Sequence, residues 1–170
     1  MSLSGKHCLV TGGGSGVGAA IATHLVQQGA KVTITGRRAA PLEALSQPYE
    51  AMGYQVCDVT SPTEMAASLT SARAAFGSFD IAVANAGAAA SKPFGKLTTE
   101  DLTAMLQVNV LGVFHTFQAV LPDMLSSGWG RLITIASTAG LKGYGYVSAY
   151  SAAKHAAVGL TRSLAIEVAR

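Results

Sequence analysis

Short apolar runs alternate regularly with longer helix-compatible segments along this chain of 170 residues. The runs are rich in Val and Ile and show little polar alternation, which is typical of strands covered on both faces. Strands that alternate with helices favour βαβ units, so the sequence predicts an α/β fold with a doubly wound parallel sheet. The predicted strands are residues 7–11, 31–35, 54–57, 81–85 and 131–137.

Signals for the ends of helices divide the intervening segments. Ser61 followed by Pro62 indicates an N-cap with proline in the first turn, and Gly29 stands where glycine commonly ends a helix. Thr98 and Asp101 form a capping-box candidate, although Glu or Gln is the usual partner of the threonine. The predicted helices are residues 16–28, 41–45, 62–75, 99–125 and 148–168.

The composition excludes several classes of protein. Apolar residues make up 49% of the chain and the net charge is +3, whereas disordered chains combine low hydrophobicity with high net charge. Lysine and arginine concentrate nowhere beyond Arg37 and Arg38, so we expect no nucleic-acid partner. The longest uncharged run, residues 102–122, contains polar side chains that are costly in hydrocarbon, and the N-terminus lacks the apolar core of a signal peptide. We therefore expect a cytoplasmic protein that does not associate with membranes.

The helix predicted from Thr99 to Leu125 has an unusually wide apolar face. Leu111, Phe114 and Val120 widen a stripe that is already apolar, and such a helix needs cover on more than one side. Either a broad core contact or a subunit interface on the outer face fits this pattern. We favour the interface and expect a homo-oligomer, a dimer or tetramer, formed through this helix and the helix Ser148–Val168.

A glycine-rich turn follows the first strand and opens the first helix, with the pattern T-G-x-x-x-G-x-G. Glycines let a backbone approach a pyrophosphate closely, and the start of a helix supplies unpaired N–H groups and a positive dipole end. The pattern predicts a dinucleotide-binding turn, although a merely tight strand-to-helix connection has a similar composition. The turn residues that we expect to contact the cofactor are Gly12, Gly14, Ser15, Gly16, Val17 and Gly18.

The end of the second predicted strand lacks the acidic residue that would bind a ribose 2′-hydroxyl. Gly36 stands there instead, followed by Arg37 and Arg38. A carboxylate would repel a 2′-phosphate, whereas guanidinium groups pair well with phosphate. We therefore expect NADP as the cofactor, with NAD as the alternative, and a solvated basic loop as the alternative interpretation of the two arginines.

Tyr150 and Lys154 lie four residues apart on a predicted helix, and therefore on one face and one turn apart. A free phenol has a pKa of about 10, and a fixed ammonium in a partly dry site favours its phenolate form. Ser137 ends the fifth predicted strand, at the edge where open α/β sheets bind ligands. Alone, the tyrosine and lysine would be an ordinary solvated pair, so the catalytic hypothesis depends on the combination.

Six features in order along the chain together resemble the short-chain dehydrogenase/reductase family, over essentially its whole length. This resemblance implies a Rossmann-like domain with strand order 3-2-1-4-5 and a nicotinamide dinucleotide cofactor. The features are the turn at residues 11–18, Asp58, Asn85-Ala86-Gly87, Asn109, Ser137 and Tyr150-Ser151-Ala152-Ala153-Lys154.

Several cofactor contacts follow from this resemblance. Asp58 matches an aspartate that holds the adenine amino group, and Val59 flanks the same ring. A cap at the end of a strand is the alternative interpretation of Asp58. A further motif braces the central strand and lines the cofactor ribose, which Tyr150 and Lys154 also contact. The residues of that motif are Asn85, Ala86 and Gly87.

For catalysis, the resemblance implies hydride transfer between the nicotinamide and a ketone, a secondary alcohol or a 3-oxoacyl substrate, without a metal. Tyr150 would exchange the hydroxyl proton, and Ser137 would stabilise the substrate oxygen. Lys154 would hold the ribose and favour the phenolate. Asn109 matches an asparagine at a helix kink that holds a relay water; a buried asparagine bonded to backbone is the alternative interpretation.

Neither the histidines nor the cysteines follow a metal or disulfide pattern. The histidines have no Cys, Glu or second His at ligand spacing, so we expect structural or surface roles. Cys8 and Cys57 lie in apolar runs and are expected to be buried free thiols. With the second strand between them they would be about 10 Å apart, beyond the roughly 7 Å limit for a disulfide. The histidines are His7, His24, His115 and His155.

Members of the family commonly run to roughly 250 residues in one domain. We expect residues 1–170 to form a single domain that is truncated, without the family's last strands and substrate lid. The fifth strand would then have an open edge, and Leu160, Leu164 and Val168 would lose part of their cover. The segments expected to line the remaining pocket, residues 88–94 and 138–146, suggest a modestly hydrophobic carbonyl substrate. Lys142, in the second segment, either meets an anionic group or is a solvated loop residue.

Two functions other than catalysis remain open. A dinucleotide-binding sensor would share the fold, but such proteins usually lose the tyrosine and lysine that this chain keeps. A fragment that only oligomerises through its two long helices is the other, and it predicts no nucleotide binding.

Overall fold

Five parallel strands form one sheet in the order β3-β2-β1-β4-β5, as seen in a computed structural model that describes residues 3–169. This order confirms the predicted α/β class and doubly wound topology. Right-handed crossovers through helices are the ordinary way to connect parallel strands. The strands are β1 His7–Thr11, β2 Lys31–Gly36, β3 Met52–Val56, β4 Ile81–Ala84 and β5 Arg131–Thr134.

Six α-helices and short irregular turns connect and cover the strands. Helices α1 and α2 pack on one face of the sheet, around a core that includes Val10, Ile34 and Leu42. Helices α3 and α5 cover the other face, where Leu9 and Leu69 are fully buried. The helices are α1 Gly16–Gln27, α2 Ala39–Ser46, α3 Pro62–Phe76, α4 Thr99–Leu106, α5 Gly112–Ser127 and α6 Ser148–Val168.

The predicted end signals coincide with the observed helix ends. The Ser61 hydroxyl accepts a hydrogen bond of 3.3 Å from the N–H of Glu64, which caps α3. Thr98 and Asp101 form a reciprocal capping box at the start of α4. Gly29 follows α1 with a φ of +87°, a conformation that L residues rarely adopt. At the start of α4, aspartate thus completes the capping box in place of the usual glutamate.

Five strand boundaries differ from the prediction by one to three residues, and those at the ends of β5 and β3 each move a predicted residue out of its strand. Strand β5 ends at Thr134, so Ser137 lies three residues past the strand and caps a 3₁₀ turn at Thr138–Gly140. Strand β3 ends at Val56, so Cys57 follows the strand, with its N–H bonded to the Gly36 carbonyl. The apolar run continues beyond the ladder in both places: Cys57 is buried, and Ile135 is partly buried.

The predicted helix from Thr99 to Leu125 is interrupted. A π-helical segment, Gln107–Leu111, separates α4 from α5, and fully buried Asn109 lies within it. The whole stretch Thr99–Ser127 is long and apolar enough to cross a membrane by length and composition alone. It packs against α3, β4, β5 and α6, as a core helix does, so its composition by itself does not indicate a membrane span.

One edge of the fold is less covered than the rest. Among residues 3–169, strand β5 pairs only with β4, and Ile133 on β5 is 44% exposed. Leu160 and Leu164 on α6 are partly buried, and Ile166 is 81% exposed. A cavity of about 730 Å³ lies between the ends of α5 and α6, beside β5. Residues 1, 2 and 170 of the predicted domain lie outside the described part of the chain.

Candidate active site

The glycine-rich turn brings the end of β1, the start of α1 and the loop after β4 into close contact. A Cβ at Gly18 would lie 2.3 Å from the Gly12 carbonyl oxygen and 2.5 Å from Asn85 Nδ2. Gly12 has a φ of +65°, and a Cβ there would lie 2.9 Å from the Cα of Ala86. Only glycine satisfies both positions, and the open backbone that results is what a pyrophosphate requires.

Thr11 and Asn85 connect this turn to the loop after β4. The Thr11 hydroxyl accepts hydrogen bonds of 3.1 Å from the N–H groups of Asn85 and Ala86. Asn85 Nδ2 donates to the carbonyls of Thr11 and Gly12, at 3.0 and 3.2 Å. The motif Asn85-Ala86-Gly87 therefore braces the turn as well as the strand that precedes it.

A cavity of about 690 Å³ extends from this turn along the carboxyl ends of β2, β3 and β4. Most of the predicted cofactor residues line it, whereas Gly16, Tyr150 and Lys154 do not. Gly16 has a φ of +54° and open space around its Cβ position, so it starts α1 on the outer side of the turn. The predicted residues in this lining are Gly12, Gly14, Ser15, Val17, Gly18, Arg37, Arg38, Asp58, Val59, Asn85, Ala86 and Gly87.

Asp58 has a structural role at the end of β3 as well as a place in the cavity. Its Oδ1 accepts hydrogen bonds of 2.9 Å from both the N–H and the hydroxyl of Thr60. The bond from the Thr60 N–H lowers the pKa of the Asp58 carboxyl, and the charge of Arg37 acts in the same direction. Asp58 is therefore ionised at neutral pH, and both bonds leave Oδ2 without a partner among the described residues.

Arg37 and Arg38 lie between β2 and α2, exposed and on the cavity wall. Neither forms an ion pair with a carboxylate within residues 3–169. Gly36 ends β2, and it stands where an acidic residue would bind a ribose 2′-hydroxyl. The wall at this end of the cavity is consequently cationic, and its two guanidinium groups remain available to an anion.

A second cavity, of about 450 Å³, brings Ser137 and Tyr150 together. The Ser137 Oγ accepts a hydrogen bond of 3.1 Å from the N–H of Ala139, which orients the hydroxyl and leaves its hydrogen free to donate. The Tyr150 hydroxyl has no hydrogen-bond partner in the described chain. Ala88 lines the first cavity and Ala89 the second, so the two adjoin along the loop after β4.

Lys154 lies one turn beyond Tyr150 on α6 and is 6% exposed. Its Nζ donates a hydrogen bond of 2.9 Å to the Ile135 carbonyl and lies 5.8 Å from the centre of the Tyr150 ring. Burial lowers the pKa of Lys154, and no carboxylate pairs with it in the described residues. Two of its three N–H donors remain for other partners beside the phenol.

The Asn109 side chain forms three hydrogen bonds with backbone groups. Its Nδ2 donates to the carbonyls of Ala88 and Met105, at 2.9 and 3.0 Å, and its Oδ1 accepts from the N–H of Ala88 at 3.3 Å. The backbone bonds fit the alternative interpretation, and the place of Asn109 in the π-helical interruption fits the kink that the resemblance implies, so its role in a proton relay stays a prediction. Asn109 thus holds the loop after β4 against the π-helical segment; both Nδ2 hydrogens are used, and Oδ1 keeps one lone pair.

Several cavity residues were not among the predicted site residues. Ala88 and Val108 line the cavity of about 690 Å³, called the nucleotide cavity below, between the turn and the π-helical segment. Leu42 lines it from α2. Gly13 matters for packing, since a Cβ there would lie 2.7 Å from Ile34. Gly13 carried a signal in the sequence as part of the glycine run, and Ala88 begins a segment expected to line the substrate pocket. Val108 and Leu42 are apolar residues that tertiary packing brings to the site.

The histidines and cysteines take structural positions. His7 Nδ1 bonds the Gly77 carbonyl at 2.8 Å, and His115 Nδ1 bonds the carbonyl of Val59 at 2.9 Å. Cys8 and Cys57 are buried and unpaired, with β2 between the strands that carry or precede them. Within residues 3–169, no group of three or more His, Cys, Asp or Glu side chains is arranged to hold a metal ion.

The parallel sheet, the glycine turn at its carboxyl edge and the adjoining cavities define a Rossmann-type nucleotide-binding domain. Comparison with known families then gives the particular one. The sequence matches the short chain dehydrogenase family over residues 6–170, and the chain belongs to that family.

Relatives of known name are similar over almost the whole chain. D-beta-hydroxybutyrate dehydrogenase of Rhizobium meliloti (strain 1021) is 37% identical over 171 residues, which cover 96% of this chain and 66% of that protein. The 3-oxoacyl-acyl-carrier-protein reductase of Escherichia coli (strain K12) is 37% identical over 170 residues, 99% of this chain and 70% of the relative. The chain therefore spans about two thirds of the length of these relatives.

A solved structure agrees closely with the fold. A crystal structure of an actinorhodin polyketide ketoreductase variant with NADPH superposes with a TM-score of 0.94 at 34% identity. The match covers 100% of this chain and 68% of the ketoreductase. The fold of this chain is thus that of a ketoreductase whose structure was solved with NADPH.

Proposed function

We propose that this protein transfers a hydride between NADP(H) and a ketone or secondary alcohol, with 3-oxoacyl compounds among the candidate substrates. The observation that carries the proposal is the shared cavity of Ser137 and Tyr150, which adjoins the cavity at the glycine turn. A reacting carbonyl placed there would meet two hydroxyl donors at the edge of the nucleotide site. The names of the relatives and of the ketoreductase structure support the same reaction class.

The residues present fit a dinucleotide. A Cβ at Gly12 or Gly18 would collide with backbone, so the turn keeps the open surface that a pyrophosphate needs. Asp58 Oδ2 suits an amino group at the far end of the cavity. When bound, the nicotinamide supplies or accepts the hydride. Arg37 and Arg38 offer two guanidinium groups to a 2′-phosphate, which is why NADP is proposed before NAD.

The chain's own side chains handle the proton and the developing charge. Tyr150 donates its hydroxyl proton to the carbonyl oxygen during reduction, and takes it back during oxidation. Ser137 donates a hydrogen bond to the same oxygen, held in position by the N–H of Ala139. The ammonium of Lys154, close to the Tyr150 ring, favours the phenolate electrostatically. Asn109 acts as a positioning residue, through the loop that it holds.

Nucleotide binding and turnover are measured separately. Titration with NADPH, followed by its fluorescence, tests the cofactor site, and a ketone panel followed at the NADPH absorbance band tests the reaction. Tyr150→Phe should lower kcat by roughly 100-fold or more, because it removes a positioned general acid. Tyr54→Phe, on β3, is the matched control and should keep the parent kcat. Binding without turnover of any ketone would favour the sensor, and no binding would favour a fragment that only oligomerises.

Cofactor preference has its own test. Replacing Arg37 and Arg38 by Ala should weaken NADPH binding by roughly tenfold or more and leave NADH binding nearly as it was, since charge-assisted bonds to a phosphate contribute about 1.5–3 kcal/mol. Arg162→Ala, at an exposed position on α6, is the control. Unchanged NADPH affinity would favour the solvated-loop interpretation, and equal losses for both cofactors would contradict a contact with the 2′-phosphate.

We also propose that copies of the chain associate through the outer faces of α5 and α6. Phe114 and Leu125 on α5 are 40% and 61% exposed, and Ile166 on α6 is 81% exposed. Exposed apolar patches of this kind commonly mark interfaces. Sedimentation velocity should show a dimer or tetramer, and Phe114→Glu should shift it toward the monomer. A parent protein that is monomeric at micromolar concentration would contradict the proposal.

A further inference from the structure

The cavity that holds Ser137 and Tyr150 has an uncharged lining. Its described walls come from the loop after β4, the 3₁₀ turn after β5 and the segment before α6. None of these lining residues is Asp, Glu, Lys or Arg. A charged group on a bound substrate would therefore find its counter-ion at the edge of the cavity.

Lys142 lies at that edge. Its Nζ is 5.0 Å from the centre of the Tyr144 ring, and Tyr144 forms part of the cavity wall. Lys142 is exposed, and no ion pair within residues 3–169 involves it. A cation over an aromatic face keeps its N–H donors available to an anion on its other side.

The backbone at Lys142 is fixed relative to Tyr150. Its N–H donates a hydrogen bond of 3.1 Å to the Thr138 carbonyl. The hydroxyl of Ser151 shares its one hydrogen between the Ala139 carbonyl, at 2.7 Å, and the Lys142 carbonyl, at 3.3 Å. Ser151 follows Tyr150 directly on α6, so the loop that carries the cation is attached to the helix that carries the phenol.

Two other lysines near the cavity are placed differently. Lys92, on the loop after β4, pairs with Asp101, and the buried Lys154 donates to the Ile135 carbonyl beside the Tyr150 ring. Lys142, unlike these two, is exposed at the edge of the cavity and has neither a carboxylate partner nor a buried carbonyl partner within the described residues. Its position suits a group that projects outward from a carbonyl bound between Ser137 and Tyr150.

We propose that Lys142 binds the carboxylate of an oxo-acid or hydroxy-acid substrate and gives the site a preference for acids over neutral ketones. The inference rests on the function proposed above, because it takes the Ser137–Tyr150 cavity as the place where the carbonyl reacts. Tyr144 supports the lysine side chain from the wall, and the uncharged cavity accommodates the carbon chain between the two ends. The length of that chain determines which acid fits.

The test compares matched ligands that differ in one charge. Oxo acids of four to seven carbons and their methyl esters are titrated into the NADP⁺-loaded chain, which cannot reduce them, with Kd from isothermal titration or ligand-detected NMR. The parent should bind one acid more tightly than its ester, and Lys142→Gln should lower this preference about fivefold, the effect of an exposed ion pair of about 1 kcal/mol. Lys142→Arg should keep most of the preference. Lys31→Gln, at the opposite end of the sheet, is the matched control.

The outcomes separate the two proposals. Esters and acids that bind equally well to the parent at every length overturn the role of Lys142 and leave the proposed reaction standing. A preference that survives in Lys142→Gln also overturns it. Failure of every acid and ester to bind overturns both proposals together. A preference that Lys142→Gln loses, that Lys142→Arg retains and that salt weakens supports the inference.

Discussion

The Nζ of Lys154 lies 2.9 Å from the carbonyl oxygen of Ile135 and 5.8 Å from the centre of the Tyr150 ring. The ammonium is buried without a carboxylate partner, and burial lowers the pKa of Lys154. A desolvated charge with one neutral acceptor costs stability. The lysine is therefore better explained by chemistry at the site than by a contribution to folding.

Lys154→Met should separate stability from activity. The variant should unfold at a urea concentration at least as high as the parent, because it removes a buried charge and keeps the side-chain volume. Reduction of ketones should fall by roughly 100-fold, measured from NADPH oxidation. A variant that loses several kcal/mol of unfolding free energy would contradict this account, since the lysine would then be structural.

The same pair of proteins gives a pH test. Because the folded pKa of Lys154 lies below its ordinary value of 10.5, the unfolded chain binds more protons in the window just below pH 10.5. The parent should gain stability relative to Lys154→Met as pH rises through that window. The measurement is the difference between their urea midpoints from pH 8 to pH 10.5. A constant difference would show that the lysine keeps its ordinary pKa.

Two glycines on helices should respond to alanine in opposite directions. Gly18→Ala would place a Cβ 2.3 Å from the Gly12 carbonyl oxygen, whereas nothing lies within 4 Å of a Cβ at Gly159 on α6. We expect Gly18→Ala to lose about 2 kcal/mol or more and to weaken NADPH binding at least tenfold. Gly159→Ala should gain about 0.5–1 kcal/mol through helix propensity. Unchanged NADPH affinity in Gly18→Ala would contradict the proposed phosphate-binding turn.

His7 should make the fold sensitive to mild acid. Its Nε2 lies 2.8 Å from the Thr33 hydroxyl, and its ring stacks on Phe79 with centroids 4.0 Å apart. Burial lowers the pKa of His7 below 6.5, so the unfolded state gains a proton first and stability falls as pH drops below about 6.5. Between the pKa of His7 in the unfolded chain and its lower pKa in the fold, the loss of unfolding free energy approaches about 1.4 kcal/mol per pH unit. It is measured from urea midpoints. His24→Gln, at an exposed position, should keep this dependence of stability on pH, and His7→Gln should lose it.

The two thiols should resist modification in the folded protein. Burial raises the pKa of Cys8 to about 12 and that of Cys57 to about 11. Thiolate is the reactive form, so Ellman's reagent at pH 8 should label neither cysteine in buffer and both in urea. Cys8→Ser and Cys57→Ser assign the signals. Cys57 lines the cavity at the glycine turn but is buried. Rapid labelling of Cys57 in buffer would therefore show that this cavity opens further in solution.

Both thiols also affect stability at alkaline pH. In the unfolded chain they ionise near pH 9, while in the fold they stay protonated to about 12 and 11. The unfolded state then binds fewer protons, and stability falls as pH rises above 9. The comparison of Lys154→Met with its parent cancels this effect, because both proteins keep the two cysteines.

Local signals in the sequence were sufficient for the sheet, the helix ends and the glycine turn. Capping by Ser61, the end of α1 at Gly29 and the alternation of strands depend on neighbouring residues, and each coincides with the structure. The resemblance to the family supplied the strand order and the roles of residues distant in sequence. Those roles remain predictions, although the cavities bring most of the residues together.

Tertiary contacts explain what no local pattern in the sequence showed. The family resemblance implied a kink at Asn109, and in the structure the side chain of Asn109 bonds Met105 within the helix and Ala88 on another loop. Ser137 lies beyond β5 because its Oγ caps a 3₁₀ turn rather than extending the ladder. Neither event has a local pattern, since both depend on partners that only the folded chain brings close.

The contact between Asn109 and Gly87 has a consequence for how this sequence can drift. A Cβ at Gly87 would lie 2.9 Å from the Oδ1 of Asn109, and the same oxygen accepts the N–H of Ala88. The two positions are therefore not independent under mutation. A side chain at position 87 requires the amide at position 109 to shift and strains its bond to Ala88, so we expect the two positions to change together.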